Sequence, residues 1–276
     1  MVAQKQINHR TRPILKWAGG KSSLLPQLVR YFPDHFERYL EPFFGGGAVF
    51  FVIPEGTRSI VNDVNPEITN FYEVVRDTPE QLMKALDMMG KQYSEEFYYE
   101  VRLTNPRSRI QKAARTLFLN KTCFNGLYRL NSKGQFNVPF GKRDSLPKLY
   151  DERNLLDVSR KLKATTIRNS DFEKVINEAR AGDFVYCDPP YEPLSASSSF
   201  NAYTGRVFTK QDQIRLFEAC NRAAKRGAKV AISNSSSPFV KKLFQDWDIV
   251  SISSRRSINS NGNRRGVIQE ILAKSY

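Results

Sequence analysis

The chain has 276 residues and a formal net charge of +15, from 43 Lys and Arg against 28 Asp and Glu. Hydrophobic residues make up 40%, with 19 Phe and 12 Tyr, which allows a sizeable core in one large domain or in a domain with an insertion. No apolar run approaches the ~18 residues of a membrane span. Two histidines are too few for a histidine-based metal site, and Cys123, Cys187 and Cys220 fit neither a disulfide framework nor a metal pattern. Met1 to Arg12 is polar and basic, so no secretory signal is expected and a reducing cytoplasm is the expected compartment.

In chain order, Tyr39 to Phe43 reads as a strand, followed by the turn Phe44-Gly45-Gly46-Gly47 and a helix start at Ala48 to Phe51. Ser59 to Asp63 reads as a second strand and Glu67 to Arg76 as a helix. Pro79 to Leu119 is helical in pattern. Phe124 to Asn131 and Gln135 to Val138 alternate around a Ser132-Lys133-Gly134 turn, which predicts a hairpin. Strands are expected again at Phe184–Cys187, Lys229–Ser233, Ile249–Ser253 and Ile268–Leu272, with a helix from about Lys210 to Lys225. Alternating strands and helices predict an α/β fold with a mostly parallel sheet. The helical-plus-hairpin stretch reads as an insertion, giving a catalytic unit over 1–70 and 165–276 and an inserted unit over 71–164.

The charge is concentrated. Residues 102–168 hold sixteen Lys and Arg against four acids, and Arg255, Arg256, Arg264 and Arg265 form a second basic cluster. Basic residues interleaved with Asn, Ser, Tyr and Phe are the footprint of a polyanion binder, which favours a nucleic acid over a membrane surface.

Asp188-Pro189-Pro190-Tyr191 closes a buried-strand pattern and stops it abruptly, because tandem proline can neither continue a sheet nor start a helix interior. In open α/β sheets that strand end is where ligands bind. A carboxylate, a rigid carbonyl at Pro189 and the ring of Tyr191 suit a planar group carrying an exocyclic amine, such as adenine. Asp63 lies eighteen residues past Gly45, and this Gly-turn-plus-acid spacing suits an adenosine-bearing ligand, with the acid on ribose hydroxyls. The Lys16-Trp17-Ala18-Gly19-Gly20-Lys21-Ser22 segment lacks the first glycine of a P-loop, and reads instead as an N-terminal element packed over a cofactor. Cys187 reads as a buried strand residue.

The order of Trp-Ala-Gly-Gly-Lys (17–21), Glu-Pro-Phe-Phe-Gly-Gly-Gly (41–47), Asn-Asp-Val-Asn (62–65), Asn-Gly-Leu-Tyr-Arg-Leu-Asn (125–131), Phe-Asn-Val-Pro-Phe-Gly (136–141) and Asp-Pro-Pro-Tyr (188–191) resembles DNA adenine methyltransferases of the Dam type. Gly-Asp-Phe-Val-Tyr (182–186) and Ser-Asn-Ser-Ser-Ser (233–237) bring it nearest the Dpn branch, and the motif order is that of the α class. The resemblance spans about Pro13 to Leu272. It implies a Rossmann-like S-adenosylmethionine-dependent methyltransferase sheet with an inserted target-recognition region. It implies S-adenosylmethionine as cofactor, held by Trp17, Lys21, Phe43, Gly45, Gly47, Asp63, Asp171, Phe172 and Asp188. Asp171 reads equally well as a helix N-cap.

The same resemblance implies double-stranded DNA as partner and flipping of the target adenine. Asp188 and the Pro189 carbonyl would accept from its amine and Tyr191 would stack on its ring. Recognition would fall to Lys16, Phe124, Asn125, Leu127, Arg129 and Pro139, with GATC as the implied target. Arg102, Arg115, Lys121, Asn131, Asn137 and Lys142 are candidate phosphate contacts. A monomer is expected. Two other readings stay open: an amino-methyltransferase of RNA or protein glutamine, and a non-catalytic DNA-binding relative.

Overall fold

The computed structural model describes residues 11–192, 208–255 and 267–276. Its strands are β1 (Arg38–Glu41), β2 (Arg58–Asn62), β3 (Thr165–Arg168), β4 (Phe184–Cys187), β5 (Lys229–Ser235), β6 (Asp248–Arg255) and β7 (Val267–Lys274). They form one seven-stranded sheet in the order β3-β2-β1-β4-β5-β7-β6. The five strands from β3 to β5 run parallel, while β7 lies antiparallel between β5 and β6. Strands covered on both faces read as continuous apolar runs, and all four residues of β4, Phe-Val-Tyr-Cys, are buried.

Helices α1 (Leu25–Leu28), α2 (Pro66–Asp77), α3 (Pro79–Lys91), α4 (Glu95–Leu103), α5 (Arg109–Thr122), α6 (Glu152–Leu162), α7 (Phe172–Asn177), α8 (Lys210–Lys225) and α9 (Pro238–Leu243) surround the sheet. Local chemistry sets several of their starts. The Asn65 side chain accepts from the Glu67 amide ahead of Pro66, Ser94 accepts from Phe97, and Asp151 from Asn154. Thr209 and Asp212 form a capping box at α8.

Successive strand residues point to opposite faces. Tyr39, Phe184 and Tyr186 join Phe71, Leu82, Leu117 and Leu155 in one core, which also takes in Tyr128, Phe136 and Phe140. Leu40, Val185 and Cys187 join Val175, Leu216 and Phe244 in the other. Each fully buried Phe or Leu contributes roughly 1.5–3 kcal/mol, so both faces of the short central strands are strongly held.

The chain leaves β1 outward to β2 and β3, then returns to β4 on the other side of β1. The sheet therefore reverses its winding between β1 and β4, where a crevice opens beyond the carboxyl ends. The Gly-rich turn follows β1 and Asp188 follows β4.

Three expectations change. The predicted hairpin is a looser structure, with isolated bridges Cys123–Phe140 and Leu130–Phe136 and no regular ladder among the described residues. Asn125 (φ 56) and Gly126 (φ 67) turn the first arm out of the extended region, and Pro139 has no N–H to donate. The expected helix start at Ala48 to Phe51 is one 3-10 turn, Phe50–Val52. β3 and α6 add to the expected elements. Arg256, Arg264 and Arg265 lie outside the described residues.

Candidate active site

At the end of β1 the backbone turns through Gly45 (φ 48) and Gly47 (φ 71). A Cβ added at Gly45 would lie 2.7 Å from Trp17 Cδ1, so both the conformation and the indole contact require glycine. The Gly45 amide donates to Asp63 Oδ2 (2.8 Å) and the Asn65 amide to Asp63 Oδ1 (2.9 Å). Burial outweighs these two bonds and pushes the Asp63 carboxyl up to about 6. Close by, the buried Glu41 accepts from the Tyr39 hydroxyl (2.8 Å). Its own burial, with Asp188 and Asp63 near, holds it well above the usual carboxylate range.

At the end of β4, Asp188 Oδ1 lies 2.8 Å from Lys21 Nζ. That ammonium also donates to the Gly19 carbonyl (2.6 Å) and sits 4.8 Å from the centre of the Tyr191 ring. Burial raises the Asp188 carboxyl and Lys21 opposes the rise. The Tyr191 hydroxyl donates to Glu270 Oε2 on β7 (2.7 Å). Cys187 is no competing nucleophile: burial and the Cys220 sulfur 3.8 Å away push its thiol well above the ordinary value.

One cavity of about 1210 Å³ joins these ends. Trp17, Lys21, Phe43, Gly45, Gly47, Asp63, Asp171, Phe172, Asp188, Pro189 and Tyr191 all line it, as does Lys16. Single small-molecule sites run to roughly 300–1,000 Å³, so the space is larger than one such ligand requires. At one end the Phe43 and Phe172 rings stack at 5.2 Å and 29°, with Phe208 against both. Asp171 caps α7 through the Glu173 amide. Its carboxylate also takes two bonds from Arg215 (3.0 and 2.9 Å), whose guanidinium lies 4.4 Å from the centre of the Phe172 ring.

Apart from Lys16, the recognition candidates lie outside this cavity, on the hairpin. Phe124 and Leu127 are 50% and 42% exposed, which removes them from the core, and Asn125, Arg129 and Pro139 are also exposed. Arg129 donates to the Asn137 side chain (2.8 Å) and backbone carbonyl (3.2 Å). Asn131 organises the turn, accepting from the Lys133 and Gln135 amides. Three suggested phosphate contacts are engaged inside the protein. Arg115 binds the Val101 and Arg102 carbonyls, Arg102 the Val138 carbonyl, and Lys121 the Ile14 carbonyl. Lys142 is exposed.

Sequence reasoning missed the joint between hairpin and cavity. The buried Asn120 side chain accepts from the Lys16 amide (2.9 Å) and donates to the Lys16 carbonyl (2.8 Å). Trp17 packs on the Tyr128 ring at 4.8 Å. It also missed Arg215 and Glu270, charges on a helix and a strand whose sequence neighbours are unremarkable.

The D12 class N6 adenine-specific DNA methyltransferase family matches residues 17–258. The chain is 40% identical over its whole length to the type II methyltransferase M1.LlaDCHI of Lactococcus lactis, covering 99% of that protein. It is 40% identical over 96% of its length to the type II methyltransferase M.MjaIII of Methanocaldococcus jannaschii, again covering 99% of the relative. A DNA adenine methylase of Vibrio cholerae is 33% identical, with 96% of each chain covered. The seven-stranded sheet with its helices is consistent with a methyltransferase fold. The chain belongs to the D12 class of N6 adenine-specific DNA methyltransferases. That sets aside the RNA, glutamine and non-catalytic readings. No helix among the described residues is long and apolar enough to cross a membrane.

Proposed function

We propose that this enzyme methylates the N6 amine of adenine in duplex GATC, using S-adenosylmethionine and a flipped target base. The observation that carries the reading is the Asp188 carboxylate and the Tyr191 ring in one cavity with Asp63 and the Phe43–Phe172 pair. The donor set fits S-adenosylmethionine: Asp63 offers a carboxylate for ribose hydroxyls, and Phe43 and Phe172 offer ring faces for its adenine. Asp171 keeps acceptor capacity beside its cap and Arg215 bonds. Lys21 and the Gly45–Gly47 turn are left for the methionine end.

Bound there, S-adenosylmethionine supplies an electrophilic methyl group. The protein's part is positioning and electrostatics. Asp188 and the Pro189 carbonyl accept hydrogen bonds from the two N6–H groups, which favours tetrahedral nitrogen and frees its lone pair. Tyr191 holds the extruded ring by stacking, since a base inside the duplex is out of reach.

On the recognition side, the exposed Arg129 suits a bidentate contact with guanine, worth about 1–3 kcal/mol of discrimination. Leu127 and Pro139 suit thymine methyls and Phe124 the gap left by the flipped base. Asn125 stands beside Phe124, Lys16 reads an outer pair, and Asn131 and Asn137 join the backbone contacts. The unit over 71–164 carries this recognition and the units over 1–70 and 165–276 the chemistry, in a cytoplasmic monomer. The test is transfer of labelled methyl groups to duplexes holding one GATC and to its single base-pair variants. Transfer to the GATC duplex with roughly tenfold or greater loss per changed pair is expected. Equal transfer to all of them refutes the specificity.

A further inference from the structure

The Asp188-Pro-Pro-Tyr191 turn leaves the sheet where prolines remove amide donors, so something other than a strand ladder must fix it. Two buried amides do so. Gln213 Nε2 donates to the Pro190 carbonyl (2.9 Å), and Gln213 Oε1 accepts from Asn234 Nδ2 (2.9 Å). Asn234 Oδ1 in turn accepts from the amides of Glu192 (3.4 Å) and Ser235 (2.8 Å). The side-chain orientations are forced. A carbonyl can only accept, so the Gln213 nitrogen must face Pro190, and backbone amides can only donate, so the Asn234 oxygen must face Glu192 and Ser235. The remaining oxygen and nitrogen then face each other.

Gln213 is 1% exposed and Asn234 fully buried. Each sits where the fold fixes it: Gln213 lies one residue past the α8 capping box, and Asn234 is near the carboxyl end of β5, paired with Ile271 on β7. The two bonds bracket Tyr191, one on the residue before it and one on the residue after.

We propose that Gln213 and Asn234 are positioning residues that set the Tyr191 backbone, and with it the Pro189–Tyr191 face of the amine site. This rests on the reading of Asp188 and Tyr191 as the catalytic turn. A buried amide pair holding only the fold would lower stability and leave turnover per folded molecule unchanged. A brace for the turn would instead lower kcat at constant substrate affinity, because misplacement of about 1 Å can cost roughly 100-fold in rate.

The test compares wild type, Gln213→Met, Gln213→Glu and Asp188→Ala for melting temperature, binding of S-adenosylmethionine and of duplex DNA, and kcat. Methionine matches the length but donates nothing. Glutamate matches the shape; assayed across pH, it can donate to Pro190 only while protonated and loses that donor as it ionises, so it keeps the proposal testable if the methionine variant does not fold. The expected result is a folded variant with both affinities within about twofold of wild type and kcat down roughly 10- to 100-fold. Wild-type kcat in a folded variant, with Asp188→Ala inactive, overturns the brace alone. Wild-type kcat in Asp188→Ala overturns the underlying reading as well.

Discussion

Lys21 and Asp188, 167 residues apart in sequence, meet as an ion pair of 2.8 Å at the carboxyl end of β4, with side chains 5% and 20% exposed. The ammonium contacts both the carboxylate and the Tyr191 ring, so an incoming amine must share Asp188 with it. Lys21 also opposes the rise that burial imposes on the Asp188 carboxyl. Replacing Lys21 with Met should therefore raise the Asp188 pKa further. A protonated Asp188 accepts one fewer bond from the amine, so activity falls as pH drops through that pKa. The acid limb of the kcat profile should move to higher pH in the variant, and an unmoved limb would separate Lys21 from the chemistry.

Asp63 gives a second pH dependence. Its carboxyl is pushed up to about 6, and the proposed ribose contact needs the charged acceptor. S-adenosylmethionine affinity should weaken as pH falls below about 6, measured by calorimetric titration. Asp63→Asn should lose about 10- to 100-fold in affinity, the weight of a charge-assisted hydrogen bond, and lose the pH dependence with it.

Tyr191 separates stacking from its hydroxyl. Tyr191→Phe keeps the ring and removes the 2.7 Å bond to Glu270, so kcat should fall only several-fold. Tyr191→Ala removes the stacking face, worth about 1–3 kcal/mol per base, and should also weaken flipping, read by the fluorescence of 2-aminopurine at the target position. Equal effects of the two variants would assign the role to the hydroxyl.

Gly45→Ala should be costly in two ways. The backbone at φ 48 disfavours any side chain by about 1–2 kcal/mol, and the new methyl would meet Trp17 at 2.7 Å. A melting temperature lowered by several degrees, together with altered Trp17 fluorescence, is expected. An unchanged melting curve would mean that the indole moves aside freely.

Arg129→Ala should relax discrimination at one base pair by about 1–3 kcal/mol more than it weakens binding overall, measured across the set of GATC variants. A uniform loss on every duplex, with a shallower salt dependence, would make Arg129 a phosphate contact instead.

The legible parts of this chain were those that local chemistry dictates. Pro189-Pro190 marks the end of β4, the glycines at 45–47 mark the turn after β1, and Thr209 with Asp212 fixes the start of α8. The motifs point to Trp17, Lys21, Phe43, Gly45, Gly47, Asp63, Asp171, Phe172 and Asp188 as cofactor candidates and to Pro189 and Tyr191 as catalytic ones, and all of these line one cavity. The rest depends on tertiary meetings that spacing does not encode. β3 is a short edge strand, Thr-Thr-Ile-Arg, and its four residues with a single strongly apolar side chain are too few for the alternation to stand out. Arg115 and Lys121 carry the same charge as surface residues, yet backbone carbonyls bind them. Asn120, Gln213 and Asn234 are ordinary polar letters in sequence, and their partners come from other elements.

The central claim, that Asp188 presents an adenine amine for methylation within GATC, is tested most directly by base-resolved mapping of methyl groups on plasmid DNA treated with the wild-type enzyme and with Asp188→Ala. Wild type should place 6-methyladenine at the adenine of GATC and nowhere else, and Asp188→Ala should leave the plasmid unmethylated while still binding it. Methyl groups on other bases or other sites, or wild-type methylation by Asp188→Ala, would contradict the account.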